Sequence, residues 1–404
     1  MSDWDPLLDR LAEVPRENGS DELRRTGLWL ADLLREAGWH VDLAPYRAYP
    51  HEMQALGVAV LALGLLYLYL MRRRSYVGAL AAALAAPVLT LAVVEARLPV
   101  LGGIGAVTQD NVVATLPVES PEQRLILSAH YDTKTEVLDH VARTPLQVLA
   151  VPMFGLLVAA PLRGVFRKLR GEPPGRWERV GGTAAAVYGA AIGLTYAAGA
   201  FLPARSPGAL DDGAACAVLV RAAERIAAEI APERTEVQVV LFSAEELGAH
   251  GAWSWVGARF AEGADLPTAA VNLELVGGSR RFLAGGEMSL TRQHRPPGAL
   301  LDAVDRALAA AGGAPLHRTR GAGLTDAVAF LAHGIPAVTV VGREGRFLIP
   351  RGMHSARDAR HRIDPAALDL TLRMVLELVV QTDRAGLPSF DGAPATAPAR
   401  ASSP

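Results

Sequence analysis

Residues 236–246, Glu-Val-Gln-Val-Val-Leu-Phe-Ser-Ala-Glu-Glu, decide how this chain reads. The apolar, β-branched run to 243 predicts a buried strand, and it ends on two consecutive glutamates, Glu245 and Glu246. Runs of the same kind recur at 39–46, 111–117, 124–129, 269–276 and 336–342. Helical patterns lie between and around them, at 20–38, 212–229, 248–262, 296–312 and 365–382. In the first of these Ser20 is placed as N-cap, acids follow in the first turn, and Gly38 closes the helix. Strands alternating with helices predict an α/β fold, a mostly parallel central sheet flanked by helices on both faces. Such sheets bind ligands at the carboxyl ends of their strands, where His130, Glu245 and Glu274 fall.

Composition narrows the possibilities. The chain has 404 residues, half of them hydrophobic, and a mean hydropathy of +0.21, high for a purely soluble protein. A net charge of −2 offers no global field for nucleic acid, and none is expected as a partner. With one cysteine, Cys216, no internal disulfide can form. Any metal must therefore be held by His, Asp and Glu, a donor set that suits a hydrolytic site better than a structural zinc knuckle.

Four uncharged apolar spans account for the hydropathy: 55–71, 76–94, 145–162 and 181–204. Each approaches the ~20 residues that cross a hydrocarbon core. They read as two transmembrane hairpins, 53–94 and 145–204, inserted into a discontinuous catalytic domain of 1–52, 95–144 and 205–385. Residues 386–404 read as a disordered tail. The first span follows fifty-odd residues of charged sequence, which is not the pattern of a signal peptide. The hairpin tips carry Arg72, Arg73 and Arg74, and then Arg163, Arg167, Lys168, Arg170, Arg176 and Arg179, so both tips read as cytoplasmic. The first 52 residues, with eleven acids against six bases, suit the opposite side. An integral membrane protein with a non-cytoplasmic catalytic domain is the expectation. Asp211 follows the fourth span closely, so substrates reaching the site along the lipid bilayer are also expected.

Five short motifs carry the chemistry: Ser-Ala-His-Tyr-Asp at 128–132, Gly-Ala-Leu-Asp-Asp at 208–212, Ser-Ala-Glu-Glu at 243–246, Asn-Leu-Glu at 272–274 and Met-His-Ser at 353–355. They supply two imidazoles, three carboxylates and one spare glutamate, an inventory that suits two zinc ions sharing a bridging carboxylate. In this order they resemble the zinc exopeptidases that include aminopeptidase Y and glutamate carboxypeptidase, metallopeptidase family twenty-eight. The resemblance covers 5–45, 110–140 and 206–385, with the hairpins as departures.

The resemblance implies a role for each residue. His130 and Glu274 are terminal ligands of one zinc, Glu246 and His354 complete the other, and Asp211 bridges both. Asp132 orients the His130 imidazole, Glu245 is the general base, and the Asp211–Asp212 peptide is cis. It implies two Zn2+ and a peptide or amide substrate, with an aminopeptidase as the first reading. A carboxypeptidase, an amidohydrolase, a glutaminyl cyclase and an inactive membrane scaffold are the alternatives. Thr325-Asp326 resembles a family segment in which the Asp is structural, while His250, His317, His333 and His361 match no ligand position. Trp253 and Trp255 read as packing residues on a helix.

Overall fold

The computed structural model describes residues 4–99, 105–321, 323–344 and 350–390. Two compact units emerge. One is built from Met1–Ala48, Val107–Lys134 and Ala204–Pro404, the other from Tyr49–Ala106 and Thr135–Pro203.

The first unit is organised around an eight-stranded sheet. Its strands are β1 (His40–Ala48), β2 (Val107–Thr115), β3 (Gln123–His130), β4 (Thr235–Phe242), β5 (Thr268–Glu274), β6 (Phe282–Ala284), β9 (His317–Arg318) and β10 (Ala337–Gly342). A two-stranded ribbon pairs β7 (Glu287–Met288) with β8 (Gln293–His294). The order across the large sheet is β1-β2-β4-β3-β5-β10-β6-β9. Its centre, β4-β3-β5-β10, is parallel throughout. The flanks are not: β1 with β2, β2 with β4, and β10 with β6 pair antiparallel, so the sheet is mixed around a parallel core. The parallel strands carry no polar face because both sides are covered; β3, β5 and β10 are buried at every position.

Alternate strand residues feed two cores. Leu125, Leu127, Val237 and Val239 pack with α1 (Asp5–Leu11), α2 (Asp21–Glu36), α7 (Ala214–Arg225), α9 (Gly298–Ala310) and α11 (Pro365–Ala385). Ile126 and Val240 face the other way, onto α8 (His250–Arg259) and α10 (Ala327–Ala332). Ser20 caps α2 as expected, its side chain accepting from Leu23 N at 3.1 Å. Trp255 packs on Phe242, Phe260 and Phe330, and Trp253 on His333, so both tryptophans are core furniture.

Several boundaries differ from the sequence reading. The helix expected from 212 starts at Ala214, because Asp211 and Asp212 have non-helical dihedrals inside a wide turn, Ala209–Gly213. β2 begins four residues earlier than expected, drawn out by its register with β1 from Val107 onward. The short α1 and α10 have no long apolar period to announce them, and both are defined by packing. The tail expected from 386 is not free at its start. Leu387 and Phe390 pack against the core, and Leu387 N donates to Gln123 Oε1 at 2.6 Å. Residues 391–404 lie outside the described residues.

The second unit contains four long apolar helices, α3 (Glu52–Arg72), α4 (Tyr76–Thr90, continued by a wide turn to Glu95), α5 (His140–Leu169) and α6 (Arg176–Ala198). The apolar window of each is long enough to cross a membrane, and between 17% and 28% of it is buried. Their mutual packing is close where glycine permits it. A Cβ on Gly57 would lie 2.7 Å from Gly193 O, and one on Gly193 2.8 Å from Gly57 O, so α3 and α6 meet backbone to backbone. Buried Glu178, near the start of α6, accepts from Arg163 Nε at 2.8 Å.

Candidate two-metal site

All seven predicted site residues belong to the first unit, at the carboxyl edge of the parallel strands. His130 ends β3, Glu274 ends β5, and Glu245 and Glu246 open a short 3-10 turn just past β4. Asp211 sits in the turn before α7, and His354 on a loop between β10 and α11.

The structure brings six of these side chains together. His130 Nε2 lies 3.3 Å from Asp211 Oδ1, 3.7 Å from Glu274 Oε1 and 3.9 Å from Glu245 Oε2. His354 Nε2 lies 3.1 Å from the other Asp211 oxygen, Oδ2, and 2.9 Å from Glu246 Oε1. Two buried triads result, His130–Asp211–Glu274 and Asp211–Glu246–His354, the donor atoms of each within 4.8 Å of one another. Asp211 belongs to both, presenting one oxygen to each imidazole.

His130 Nε2, Asp211 Oδ2, Glu246 Oε1 and Glu274 Oε2 are buried and have no aligned hydrogen-bond partner. Orphaned buried donors and acceptors are rare and costly, on the order of 1–3 kcal/mol each. Four of them converging in one place fit cations rather than a hydrogen-bond network. The donor set, one imidazole and one terminal carboxylate per triad with a shared carboxylate, suits zinc.

Asp132 organises the cluster from behind. Its carboxylate accepts from Glu245 N at 3.1 Å, Glu246 N at 3.2 Å and Asn18 Nδ2 at 2.7 Å. Its Oδ1 also stands 3.3 Å from His130 Nδ1, which lies 3.2 Å from the Asp132 carbonyl. One side chain thus fixes an imidazole and the backbone of both glutamates. The Asp211–Asp212 peptide is cis, and Asp212 Oδ1 accepts from Leu275 N at 3.0 Å, tying the Asp211 turn to the end of β5.

Left-handed backbone marks the ligand-bearing segments. Ala244 has φ 56° before Glu245, Leu275 has φ 56° after Glu274, and His354 itself has φ 62°. For residues with a Cβ this conformation costs about 1–2 kcal/mol each, and such residues gather where a site over-determines the chain.

Electrostatics follow from the same crowding. Burial pushes the Glu245 carboxyl well above its usual range, with Glu274 and Glu246 adding to the rise while His130 opposes it. Burial also favours neutral Asp211, but His130 and His354 prevail and hold it below the usual carboxylate range.

Four supporting residues gave no sequence signal. Arg16 is wholly buried; its guanidinium donates to the carbonyls of Tyr131, Leu11, Pro207 and Gly208, stitching the N-terminal segment to the end of β3 and to the loop before the Asp211 turn. Asn18 holds Asp132, as above. Asp358 accepts Leu210 N at 2.8 Å and Asp211 N at 3.2 Å. Glu287, lifted to about 7 by burial, accepts from Thr325 N and the hydroxyls of Thr325 and Thr339. None sits in a recognisable motif, because each acts on groups brought near only by folding. Asp326, read as structural, is buried with neither carboxylate oxygen partnered, and burial pushes it well above the usual range. His333 Nδ1 lies 2.8 Å from Ala329 O and His250 packs edge-on to Tyr46; neither belongs to a triad.

With this geometry in view, comparison with known proteins becomes informative. Residues 193–379 match the family model of peptidase family M28. The match takes in Asp211, Glu245, Glu246, Glu274 and His354, spans less than half of the chain, and begins after His130 and Asp132. The M28-like segment thus holds five of the seven residues, and folding adds the other two. No curated protein matches the chain. Among solved structures the chain is similar to a glutaminyl cyclase from Porphyromonas gingivalis, at 16% identity and TM-score 0.55, covering 94% of this chain and 96% of that one. It is similar to a zinc-dependent exopeptidase from Parabacteroides distasonis ATCC 8503, at 14% identity and TM-score 0.54, covering 93% of this chain and 96% of that one. An aminopeptidase from Aneurinibacillus sp. strain AM-1 aligns at 13% identity and TM-score 0.54, covering 94% and 92%. At these identities the likeness is one of fold.

Proposed function

We propose that the chain is an M28-type two-zinc exopeptidase, an aminopeptidase anchored in a membrane by its two helical hairpins. The observation that carries this reading is the double triad sharing Asp211, with buried unpartnered atoms in both halves. His130, Asp211 and Glu274 would hold one ion, and Asp211, Glu246 and His354 the other. Two zinc ions there would supply Lewis acidity toward a water and the scissile carbonyl.

The chain's own residues do the rest. Glu245, in no triad and 3.9 Å from His130 Nε2, takes the proton of the attacking water and delivers it to the leaving amine. Its neighbour Glu246 faces His354 instead, so consecutive glutamates divide base from ligand. Asp132 keeps that division in place by gripping both backbone amides. The apolar surface of the four long helices supports the membrane assignment, with Val77, Val88, Val148, Val151 and Phe166 each more than 60% exposed.

The test is direct. Zinc-loaded protein should contain two zinc ions per chain and hydrolyse leucine amide or leucyl dipeptides. Glu245→Gln should lower kcat at least a thousandfold while zinc content stays at two. Loss of a zinc with that substitution would show that Glu245 and Glu246 have exchanged roles. A glutaminyl cyclase, the reading favoured by the Porphyromonas likeness, would instead cyclise N-terminal glutamine with release of ammonia and need one zinc.

A further inference from the structure

We infer that Arg343 makes this site selective for substrates bearing a carboxylate near the scissile bond. The inference rests on the exopeptidase reading and adds its substrate class.

Arg343 follows β10 at the carboxyl edge of the sheet. In the parallel β5–β10 ladder Val341 is the register partner of Glu274. Side chains two residues apart leave a strand on the same face, so Arg343 projects on the Glu274 side, one pleat beyond it. The backbone there is held: Arg343 N donates to Arg281 O at 2.8 Å, continuing the β10–β6 ladder past Gly342.

The guanidinium is half-buried, and its Nε is buried with no hydrogen-bond partner. Among the described residues no carboxylate lies within 4 Å of it. The acids that might have served are engaged elsewhere. Glu344 pairs with Arg362, and Asp358 holds the amides of Leu210 and Asp211. The segment 343–362, which carries His354, has six arginines against only Glu344 and Asp358.

A guanidinium N–H buried without a partner is costly, and a ligand that accepts from it removes that cost. The planar fork of a guanidinium matches a carboxylate in two parallel hydrogen bonds. On the exopeptidase reading the amide to be cut would lie at the candidate metal cluster, whose Glu274 is the register partner of Val341, two residues before Arg343. A substrate carboxylate can come from two sources: the side chain of an acidic N-terminal residue, or the free C-terminus of a very short peptide. Both present the same group to Arg343.

Three substrates separate the sources, using the full chain in detergent with zinc restored: Leu-Gly amide, Leu-Gly with its free carboxylate, and Glu-Gly amide. Wild type should favour one carboxylate-bearing substrate over Leu-Gly amide by at least tenfold in kcat/KM. Leu-Gly as the winner assigns the C-terminal carboxylate, and Glu-Gly amide the acidic side chain. Arg343→Gln should collapse that ratio toward one, chiefly through KM, and Arg343→Lys should recover part of it. Calorimetric titration with L-glutamate, read without turnover, should show at least tenfold weaker binding to Arg343→Gln at unchanged zinc content. Equal rates on all three substrates, or glutamate binding indifferent to Arg343→Gln, overturns the inference and leaves the exopeptidase standing. Hydrolysis of none of the three overturns the exopeptidase reading, and the calorimetric arm still decides whether Arg343 binds carboxylates.

Discussion

Asp358 shows how much of the site depends on a residue that contacts no candidate metal. Both of its carboxylate oxygens are acceptors, one for Leu210 N and one for Asp211 N, and its own carbonyl accepts from Ala209 N at 3.2 Å. The turn that delivers Asp211 to both imidazoles is therefore fastened from one side chain. Asp358→Asn keeps the shape but turns one acceptor into a donor facing a backbone N–H. Zinc affinity should fall by about 10- to 100-fold, as when a ligand's supporting hydrogen bond is removed. Competition against a graded chelator measures it, and an unchanged affinity would show that the cis Asp211–Asp212 turn holds itself. The five candidate ligands stood out in the sequence because metal chemistry restricts them to a few residue types in an ordered set of motifs. Asp358, Asn18 and Arg16 did not, because a side chain that satisfies distant backbone groups, or as with Asn18 a distant carboxylate, leaves no motif.

Among the elements, strands were easier to read than turns. The uninterrupted apolar runs of β3, β4 and β5 announce burial on both faces, whereas β6, β7, β8 and β9 are too short to carry a period. The turn at Ala209–Gly213 looked helical because acids followed by small residues favour a helix start. In the second unit, α3 and α6 test an element-level claim. Gly193 faces the backbone of Gly57 and Leu61, while a Cβ on Gly189, on the same helix, would meet nothing within 4 Å. Gly193→Leu should force the helices apart and destabilise the unit by roughly 1–3 kcal/mol. Gly189→Leu should be nearly neutral. Thermal denaturation in detergent compares the two, and equal melting temperatures would refute backbone contact between α3 and α6.

For the whole molecule, the arrangement of two inserted hairpins imposes a parity. On the proposed membrane anchoring each insertion would cross an even number of times, so the three segments of the sheet-containing unit would emerge on one side and could complete one sheet. Under that anchoring the positive-inside rule predicts cytoplasmic tips from the arginines at residues 72–74. Arg73→Cys gives a reporter, since the native Cys216 is fully buried and will not compete for reagent. In inverted vesicles, with the cytoplasmic face outward, a membrane-impermeant maleimide should label it; labelling in right-side-out vesicles instead would overturn the orientation.

By itself the sequence determined what local chemistry can encode: strand and helix types, four membrane-length apolar segments, and a ligand set limited to His, Asp and Glu. Only the tertiary structure decided how those groups meet. It placed one Asp211 oxygen toward each imidazole, made Asp132 the clamp for both glutamates, ran β2 and β6 antiparallel to the core strands, and buried the Arg343 Nε without a hydrogen-bond partner among the described residues. The reason is one of range. Periodicity and residue type act over a few neighbours, but distances between groups more than a hundred positions apart are set by packing.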